Sequence, residues 1–138
     1  MDNLAERHTV RLAGATLTGL RQHGVTRFGA LRYAQTPVGA LRFAPPVAAP
    51  LQGQVDATGL GPIAPQLPSQ LAKVLGTCDA LQSENCLHAT IWTPGPDAGQ
   101  RPVVVWCHGG AWQSGGVLGW YNGEALARRG NVVVVGLN

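Results

Sequence analysis

A short apolar run leads directly into a histidine and two glycines in the last third of the sequence. The run is Val103–Cys107, and His108, Gly109 and Gly110 follow it. Backbone N–H groups that are fixed at the end of a rigid strand can stabilise the negative oxygen of a tetrahedral intermediate without reorganising. Glycines permit unusual backbone angles and let a substrate come close to such amides. Stabilisation of an oxyanion is therefore one chemistry that this segment could perform.

Two other interpretations of these glycines are open to the sequence. Glycines after a strand commonly form an ordinary turn, and three residues alone do not separate a turn from an oxyanion loop. A loop that binds a nucleotide phosphate is disfavoured, because the sequence contains neither G-x-G-x-x-G nor G-x-x-x-x-G-K-[ST].

A nucleophile for acyl transfer is missing from the expected motif. No serine lies in G-x-S-x-G, and the serines of the chain are Ser69, Ser83 and Ser114. Ser114 and His108 could form a local Ser-His dyad. A structural role is favoured for both, with His108 bracing the glycines.

The elements around the glycines predict an α/β fold. The run before His108 is wholly apolar, as in strands that are buried on both faces of a sheet. A short helix is expected over residues 123–129, closed by Gly130, and a second apolar strand over residues 132–135. Strand, helix and strand in this order form a β-α-β unit with a parallel strand pair.

The earlier part of the chain predicts a small antiparallel meander followed by irregular structure. The meander strands cover residues 9–12, 15–20 and 25–28. Prolines and glycines indicate an extended, turn-rich segment over residues 36–83, with a short helix near residues 70–75. Alternation of apolar and polar residues predicts a further strand over residues 86–93. We expect His23 and His88 to lie at the surface or in loops.

Composition indicates an ordinary globular chain. With 138 residues, 45% of them hydrophobic, residues 1–138 are expected to form part of one domain. The formal charge is only +3 and the basic residues are scattered, so no nucleic-acid or membrane surface is expected. No apolar run approaches the ~20 residues that cross a bilayer, and no secretory signal is visible, so a cytoplasmic location is expected.

The cysteines are too few and too irregular for a disulfide scaffold or a paired zinc motif. They are Cys78, Cys86 and Cys107. A bridge between Cys78 and Cys86 is possible, but free thiols are favoured for a chain without an export signal. The final apolar strand ends at Val135, only three residues before the last residue, Asn138, whereas chain ends are usually polar surface segments. We therefore expect the chain to be truncated at its C-terminus.

Several separated blocks, in one order, resemble the type-B carboxylesterase family, which includes cholinesterases and bacterial p-nitrobenzyl esterase-like enzymes. Residues 28–43 resemble F-x-G-I-P-Y-A-x-P-P-V-G-x-L-R-F, and D-A-T, G-P and P-Q follow at residues 56–66. Residues 83–94 resemble S-E-D-C-L-Y-L-N-V-W-T-P. Residues 103–112 resemble V-x-V-W-I-H-G-G-A-F, and residues 121–138 resemble the Y-D-G, L-A and V-V-V-V-x-x-N blocks.

The chain departs from this pattern at a few positions. Leu31 and Arg32 replace Ile-Pro, Asn85 replaces the aspartate of S-E-D-C, and residues 88–90 replace Tyr-Leu-Asn. The glutamate and aspartate of that family block look structural, so Asn85 bears on local packing more than on activity. The family's disulfide partner for the cysteine in this block lies farther upstream than Cys78, so the resemblance does not imply a bridge between Cys78 and Cys86.

The resemblance implies the N-terminal portion of an α/β-hydrolase fold, with an antiparallel meander and the first strands of the main sheet. It implies a serine carboxylic ester hydrolase that acts through an acyl-enzyme on small-molecule esters, without metal or cofactor. The expected oxyanion donors are the N–H groups of Gly110 and Ala111, with Gly109 shaping the turn and Trp112 lining the substrate gorge. The Ser, acid and His of the triad, and a third donor after the serine, are absent from this chain. A non-catalytic binding or adhesion protein of the same superfamily is the alternative.

Overall fold

One mixed sheet organises the described residues, which are 4–76 and 79–138 of a computed structural model. Its strands run in the order β1-β2-β3-β5-β7-β6, and β4 pairs in parallel with the first half of β2. The strands are β1 Glu6–Leu12, β2 Ala15–Gln22, β3 Val25–Arg32, β4 Gly53–Asp56, β5 His88–Thr93, β6 Val103–Cys107 and β7 Val133–Leu137. Two short α-helices, α1 Ala72–Leu75 and α2 Glu124–Gly130, and two 3-10 turns, Gly39–Leu41 and Gly119–Tyr121, accompany them.

The predicted meander is confirmed. β1, β2 and β3 pair antiparallel in sequence, and tight turns at Gly14 and Gly24, both with positive φ, connect them. Alternate residues of β2 face a first core, because successive strand side chains point to opposite faces of a sheet. This core contains Ala15, Leu17, Phe28, Leu31 and Ala57.

The predicted β-α-β unit is also confirmed. β6 and β7 pair in parallel from Val103 opposite Val133 to Cys107 opposite Leu137, and α2 lies between them in the chain. The helix packs on β5 and β7 over a second core of Val25, Trp92, Val117, Ala127 and Val134. Helix α2 includes Gly130, and Asn131, with φ 47°, forms the left-handed cap that was predicted for the glycine.

The expectation that β6 is buried on both faces was wrong for the described chain. Val103 is 60% exposed and Trp106 is 47% exposed, whereas Val134 on the neighbouring β7 is 4% exposed. The difference arises because β7 is flanked by β5 and β6, while β6 is the last strand of the sheet. The apolar sequence of β6 predicts a strand that is covered on both faces. Among the described residues, none covers the outer side of β6.

Two further features differ from the sequence-based expectations. His88 is 7% exposed on β5, so the prediction of a surface or loop position was wrong. β4 was missed, because its four residues lie in a proline- and glycine-rich segment and pair in parallel with a distant strand. No helix among residues 4–76 and 79–138 has the length and apolar character to cross a membrane.

Candidate active site

The candidate site is the loop of residues 108–116, here called the glycine loop, which begins where β6 ends. Its upstream limb is residues 109–112 and its downstream limb is residues 114–117, which runs on into the second core. The backbone N–H groups of Gly110 and Ala111 donate to no acceptor within residues 4–76 and 79–138. The N–H groups of Gly109 and Trp112 are likewise unpaired among the described residues, so a run of four amide donors follows the strand end, and of these residues Gly110 and Ala111 line the cleft described below.

The two limbs of the loop close on each other through glycines. A Cβ atom on Gly110 would overlap the carbonyl oxygen of Ser114, and one on Gly115 would overlap the carbonyl oxygen of Gly109. Both glycines also have positive φ, 127° for Gly110 and 116° for Gly115. The carbonyl of Gly110 accepts hydrogen bonds from Gln113 (2.9 Å) and Ser114 (3.1 Å). The loop is therefore a closed, tight turn with its backbone fixed at both ends.

The upstream limb contains strained backbone. Ala111 and Trp112 have φ of 53° and 61°, in the left-handed region that side chains with a Cβ avoid at a cost of about 1–2 kcal/mol per residue. Such outliers persist only where the surrounding structure determines them, and they cluster at functional sites. Here they turn the chain sharply after Gly110.

Gly109 differs from the role that the resemblance implies. Its φ lies outside the positive range, and a Cβ placed on it would meet nothing within 4 Å in the described residues. Gly110, Gly115 and Gly116 carry the steric requirement for glycine in this loop, and a Cβ on Gly116 would overlap the side chain of Ile63. The only sequence signal at Gly115 is its place in a second glycine pair, Gly115-Gly116, which does not reveal the contact that requires glycine there.

His108 and Ser114 do not form a hydrogen-bonded dyad in the described residues. Nδ1 of His108 lies 2.7 Å from the carbonyl oxygen of Gly109. The ring also lies where a Cβ on Gly115 would be placed. Ser114 uses its backbone within the turn. These contacts agree with the structural role expected for His108, which braces the base of the loop.

The downstream limb is held by two side-chain amides that sequence reasoning did not single out as functional. Gln66 bonds both backbone groups of Gly115, accepting from its N–H at 2.6 Å and donating to its carbonyl oxygen at 2.7 Å. Asn138 accepts from the N–H of Val117 and donates to the carbonyl oxygen of Pro62 at 2.9 Å. Their only sequence signals were the P-Q block and the asparagine that ends the last block.

A cleft of about 790 Å³ lies beside the unpaired amides. Residues 65–71 form one wall, and Gly110, Ala111, Gln113 and Ser114 form the other. None of the lining residues is an Asp, Glu, Lys, Arg or His, so the cleft is suited to an uncharged group. Trp112 does not line this cleft. It is fully exposed and borders a smaller cavity of about 250 Å³ that also contacts His108.

Cys86, which lines the smaller cavity beside the loop, is not an activated nucleophile. Burial is the main cause that raises the pKa of its thiol, which therefore stays protonated at neutral pH. Burial, and secondarily the charge of Arg32, lowers the pKa of His88. The possible Cys78–Cys86 bridge lies outside the described residues, since Cys78 is not among them. No three His, Cys, Asp or Glu side chains of the described chain are grouped so as to hold a metal ion.

Comparison with known proteins places these features in a family. The model of the Carboxylesterase family matches residues 6–138. A probable N-octanoylanthranilate hydrolase of Rhodococcus erythropolis is 47% identical over 91 residues, which are 64% of this chain and 20% of that protein. The para-nitrobenzyl esterase of Bacillus subtilis is 44% identical over 85 residues, which are 61% of this chain and 17% of that protein.

Solved structures give the same result at the level of the fold. A thermophilic PNB esterase superposes with a TM-score of 0.83 at 36% identity, over 94% of this chain and 27% of that chain. A carboxylesterase of Geobacillus stearothermophilus superposes with a TM-score of 0.80 at 36% identity, over 94% of this chain and 26% of that chain. This chain spans about a fifth of the length of the curated relatives. The chain belongs to the carboxylesterase family, and its sheet is the N-terminal portion of an α/β-hydrolase fold.

Proposed function

We propose that this chain supplies the oxyanion-stabilising loop of a serine carboxylic ester hydrolase. The observation that carries the proposal is the pair of adjacent, unpaired N–H groups of Gly110 and Ala111 beside an uncharged cleft. Membership of the carboxylesterase family supports ester hydrolysis as the reaction class. The substrate is a small-molecule carboxylic ester, and no metal or cofactor takes part.

In the proposed reaction a serine hydroxyl oxygen attacks the ester carbonyl carbon while a histidine takes its proton. The carbonyl oxygen gains the negative charge and accepts hydrogen bonds from the N–H groups of Gly110 and Ala111. Collapse of this intermediate expels the alcohol, which takes the proton from the histidine, and leaves an acyl-enzyme. Water then hydrolyses the acyl-enzyme through a second oxyanion at the same donors.

The rigid loop suits this role because its donors are oriented before substrate arrives. Its two limbs are already closed by the contacts at Gly110 and Gly115. Gly109 leaves open space on the approach to the amides, and Trp112 is placed to contact a substrate group outside the cleft. The serine, acid and histidine of the triad come from beyond this sequence, which contains no G-x-S-x-G.

A hybrid enzyme tests the proposal. In the hybrid, residues 6–138 replace the matching segment of the Bacillus subtilis para-nitrobenzyl esterase. We expect the hybrid to hydrolyse p-nitrophenyl acetate and a serine-directed phosphonate to abolish the activity, while the 138-residue chain alone gives no turnover. A folded hybrid without activity would contradict the oxyanion role. Sustained, phosphonate-sensitive hydrolysis by the isolated chain would contradict a nucleophile outside it.

A further inference from the structure

The side chain of Gln66 bonds both the N–H and the carbonyl of Gly115, as the backbone of a neighbouring strand would. Its Oε1 accepts from the N–H of Gly115 at 2.6 Å, and its Nε2 donates to the carbonyl oxygens of Gly115 at 2.7 Å and Ala64 at 3.0 Å. Its own N–H donates to Oε1 of Gln82 at 2.8 Å. Gln66 is 49 residues away from the loop that it holds.

Gln66 bonds the peptide group between Ser114 and Gly115, and this same peptide group lies against Gly110. The N–H of Gly115 and the carbonyl of Ser114 belong to the same planar peptide unit, so fixing one fixes the direction of the other. That carbonyl oxygen lies against the Cα of Gly110, where it leaves no room for a Cβ. A rotation of the unit would therefore push on Gly110 directly.

We propose that Gln66 is a positioning residue that holds the N–H groups of Gly110 and Ala111 in their oxyanion-binding direction through the Ser114–Gly115 peptide. The inference rests on the proposed function for its catalytic consequence. Its structural part, the control of the upstream limb by Gln66, stands on the contacts alone. Gln66 touches neither the proposed donors nor the position of the reacting oxygen.

Three variants separate the hydrogen bonds between Gln66 and Gly115 from general support of the segment around Gln66. Gln66→Leu keeps the size of the side chain and removes all three of its hydrogen bonds. Gln82→Leu is the matched control, because it removes the bond to the backbone N–H of Gln66 and leaves the grip on Gly115 intact. Gln66→Met removes the same three bonds with an unbranched, uncharged side chain of similar length, so it repeats the test without placing a charge against the carbonyl oxygens of Gly115 and Ala64.

The first measurement uses ¹⁵N relaxation of the 138-residue chain and needs no catalysis. In the unmodified chain we expect amide order parameters of about 0.85 at Gly110 and Ala111, as in rigid backbone. Gln66→Leu should lower both below about 0.6, and Gln82→Leu should leave them unchanged. Order in the meander strands reports whether each variant is folded.

The second measurement uses the hybrid enzyme. Gln66→Leu should lower kcat on the order of 10²-fold, the scale of a misplacement of about 1 Å, while KM changes little. Affinity for a trifluoromethyl ketone, which forms a tetrahedral adduct with an oxyanion, should fall in parallel. Gln66→Met should give a loss similar to that of Gln66→Leu, and Gln82→Leu should retain kcat.

The outcomes divide clearly. Unchanged order at Gly110 and Ala111 in a folded Gln66→Leu chain would overturn the proposal, and so would equal losses in Gln66→Leu and Gln82→Leu. If Gln66→Leu does not fold, Gln66→Met decides in the same way, and failure of both to fold would make Gln66 a general folding residue and overturn the proposal. Lost order together with an inactive unmodified hybrid would retain the control of the loop and overturn the proposed function.

Discussion

The two limbs of the glycine loop differ in how their backbone groups are used. The downstream limb, residues 114–117, is half-buried or buried, and three of its four amides, those of Ser114, Gly115 and Val117, donate hydrogen bonds to Gly110, Gln66 and Asn138 respectively. The upstream limb, residues 109–112, is largely exposed, with strained φ at Ala111 and unpaired amides. The N–H groups of Gly110 and Ala111 can remain unpaired because the downstream limb holds the loop in place.

The largest effect is expected at the contact between the limbs. Gly110→Ala places a Cβ against the carbonyl oxygen of Ser114 at a φ of 127°. The loop must rearrange, so kcat of the hybrid should fall by at least about 10²–10³, the scale of losing one oxyanion donor. Steady-state kinetics and a thermal melt measure both consequences.

Gly109→Ala is the matched control, because a Cβ there meets nothing within 4 Å in the described residues. It should change the free energy of unfolding of the 138-residue chain by less than about 1 kcal/mol. Equal unfolding losses in Gly109→Ala and Gly110→Ala would contradict the closure of the limbs at Gly110.

Removal of the Asn138 side chain, which holds the downstream limb, should destabilise the chain more than a substitution in the upstream limb does. Asn138→Ala leaves the N–H of Val117 and the carbonyl of Pro62 without their partner. An unsatisfied buried group costs about 1–3 kcal/mol, and Val117 is 4% exposed, so the free energy of unfolding should fall by about 2 kcal/mol. Urea denaturation of the 138-residue chain measures it.

Trp112→Ala supplies the contrast on the upstream limb, where the side chain is fully exposed. Its effect on unfolding should stay within about 0.5 kcal/mol. The expected order of the two limbs is wrong if Trp112→Ala destabilises the chain as much as Asn138→Ala does.

Acidification should lower the free energy of unfolding through His88, whose backbone bonds Asn138, the residue that anchors the downstream limb. The carbonyl of His88 accepts the N–H of Asn138 at 3.0 Å, and burial, followed by the charge of Arg32, lowers the pKa of its ring. The folded chain therefore resists a proton that the unfolded chain takes up near pH 6.5. Stability from this group is complete above about pH 6.5 and falls as the pH drops below it, by up to about 1.4 kcal/mol per pH unit.

Urea denaturation at pH 7.5 and 5.5 measures this dependence against His88→Gln, which cannot titrate in this range. The variant should lose less stability on acidification than the unmodified chain. Parallel loss in both chains would show that the neutral state of His88 does not support the fold.

The smallest effect is expected from relief of strain in the upstream limb. Ala111→Gly removes the Cβ at a φ of 53° and keeps the backbone N–H. The relief of about 1–2 kcal/mol is offset by the extra entropy of glycine in the unfolded chain, about 0.5–1 kcal/mol. The chain should become more stable by up to about 1.5 kcal/mol in denaturant unfolding. A clear destabilisation would show that Ala111 is not strained.

Local sequence patterns predicted the parts of the fold whose signals are local. Glycine turns marked the meander, and the apolar runs of β6 and β7 marked the β-α-β unit. β4 and the burial of His88 were not predictable in this way, because both depend on pairing with residues far away in the chain.

The candidate site was predictable only in its upstream limb. The motif around Gly110 indicated the position of the donors, whereas Gln66 acts from a proline-rich segment with no regular period. The need for glycine at position 115 depends on its contact with Gly109, which no spacing rule reveals. The roles of Gly110 and Ala111 as donors stay a prediction.

Replacement of the Ala111 amide by an ester shows whether its N–H stabilises the oxyanion. Incorporating lactic acid at this position in the hybrid removes the N–H and keeps the methyl group, whereas proline could not adopt the positive φ of Ala111. The same replacement with glycolic acid at Gly109 is the control, because that N–H is unpaired but is not a proposed donor. We predict that kcat falls by about 10²–10³ for the Ala111 ester, with little change in KM and little change for the Gly109 ester. A folded Ala111 ester with near-normal kcat would show that the Ala111 N–H does not stabilise the oxyanion.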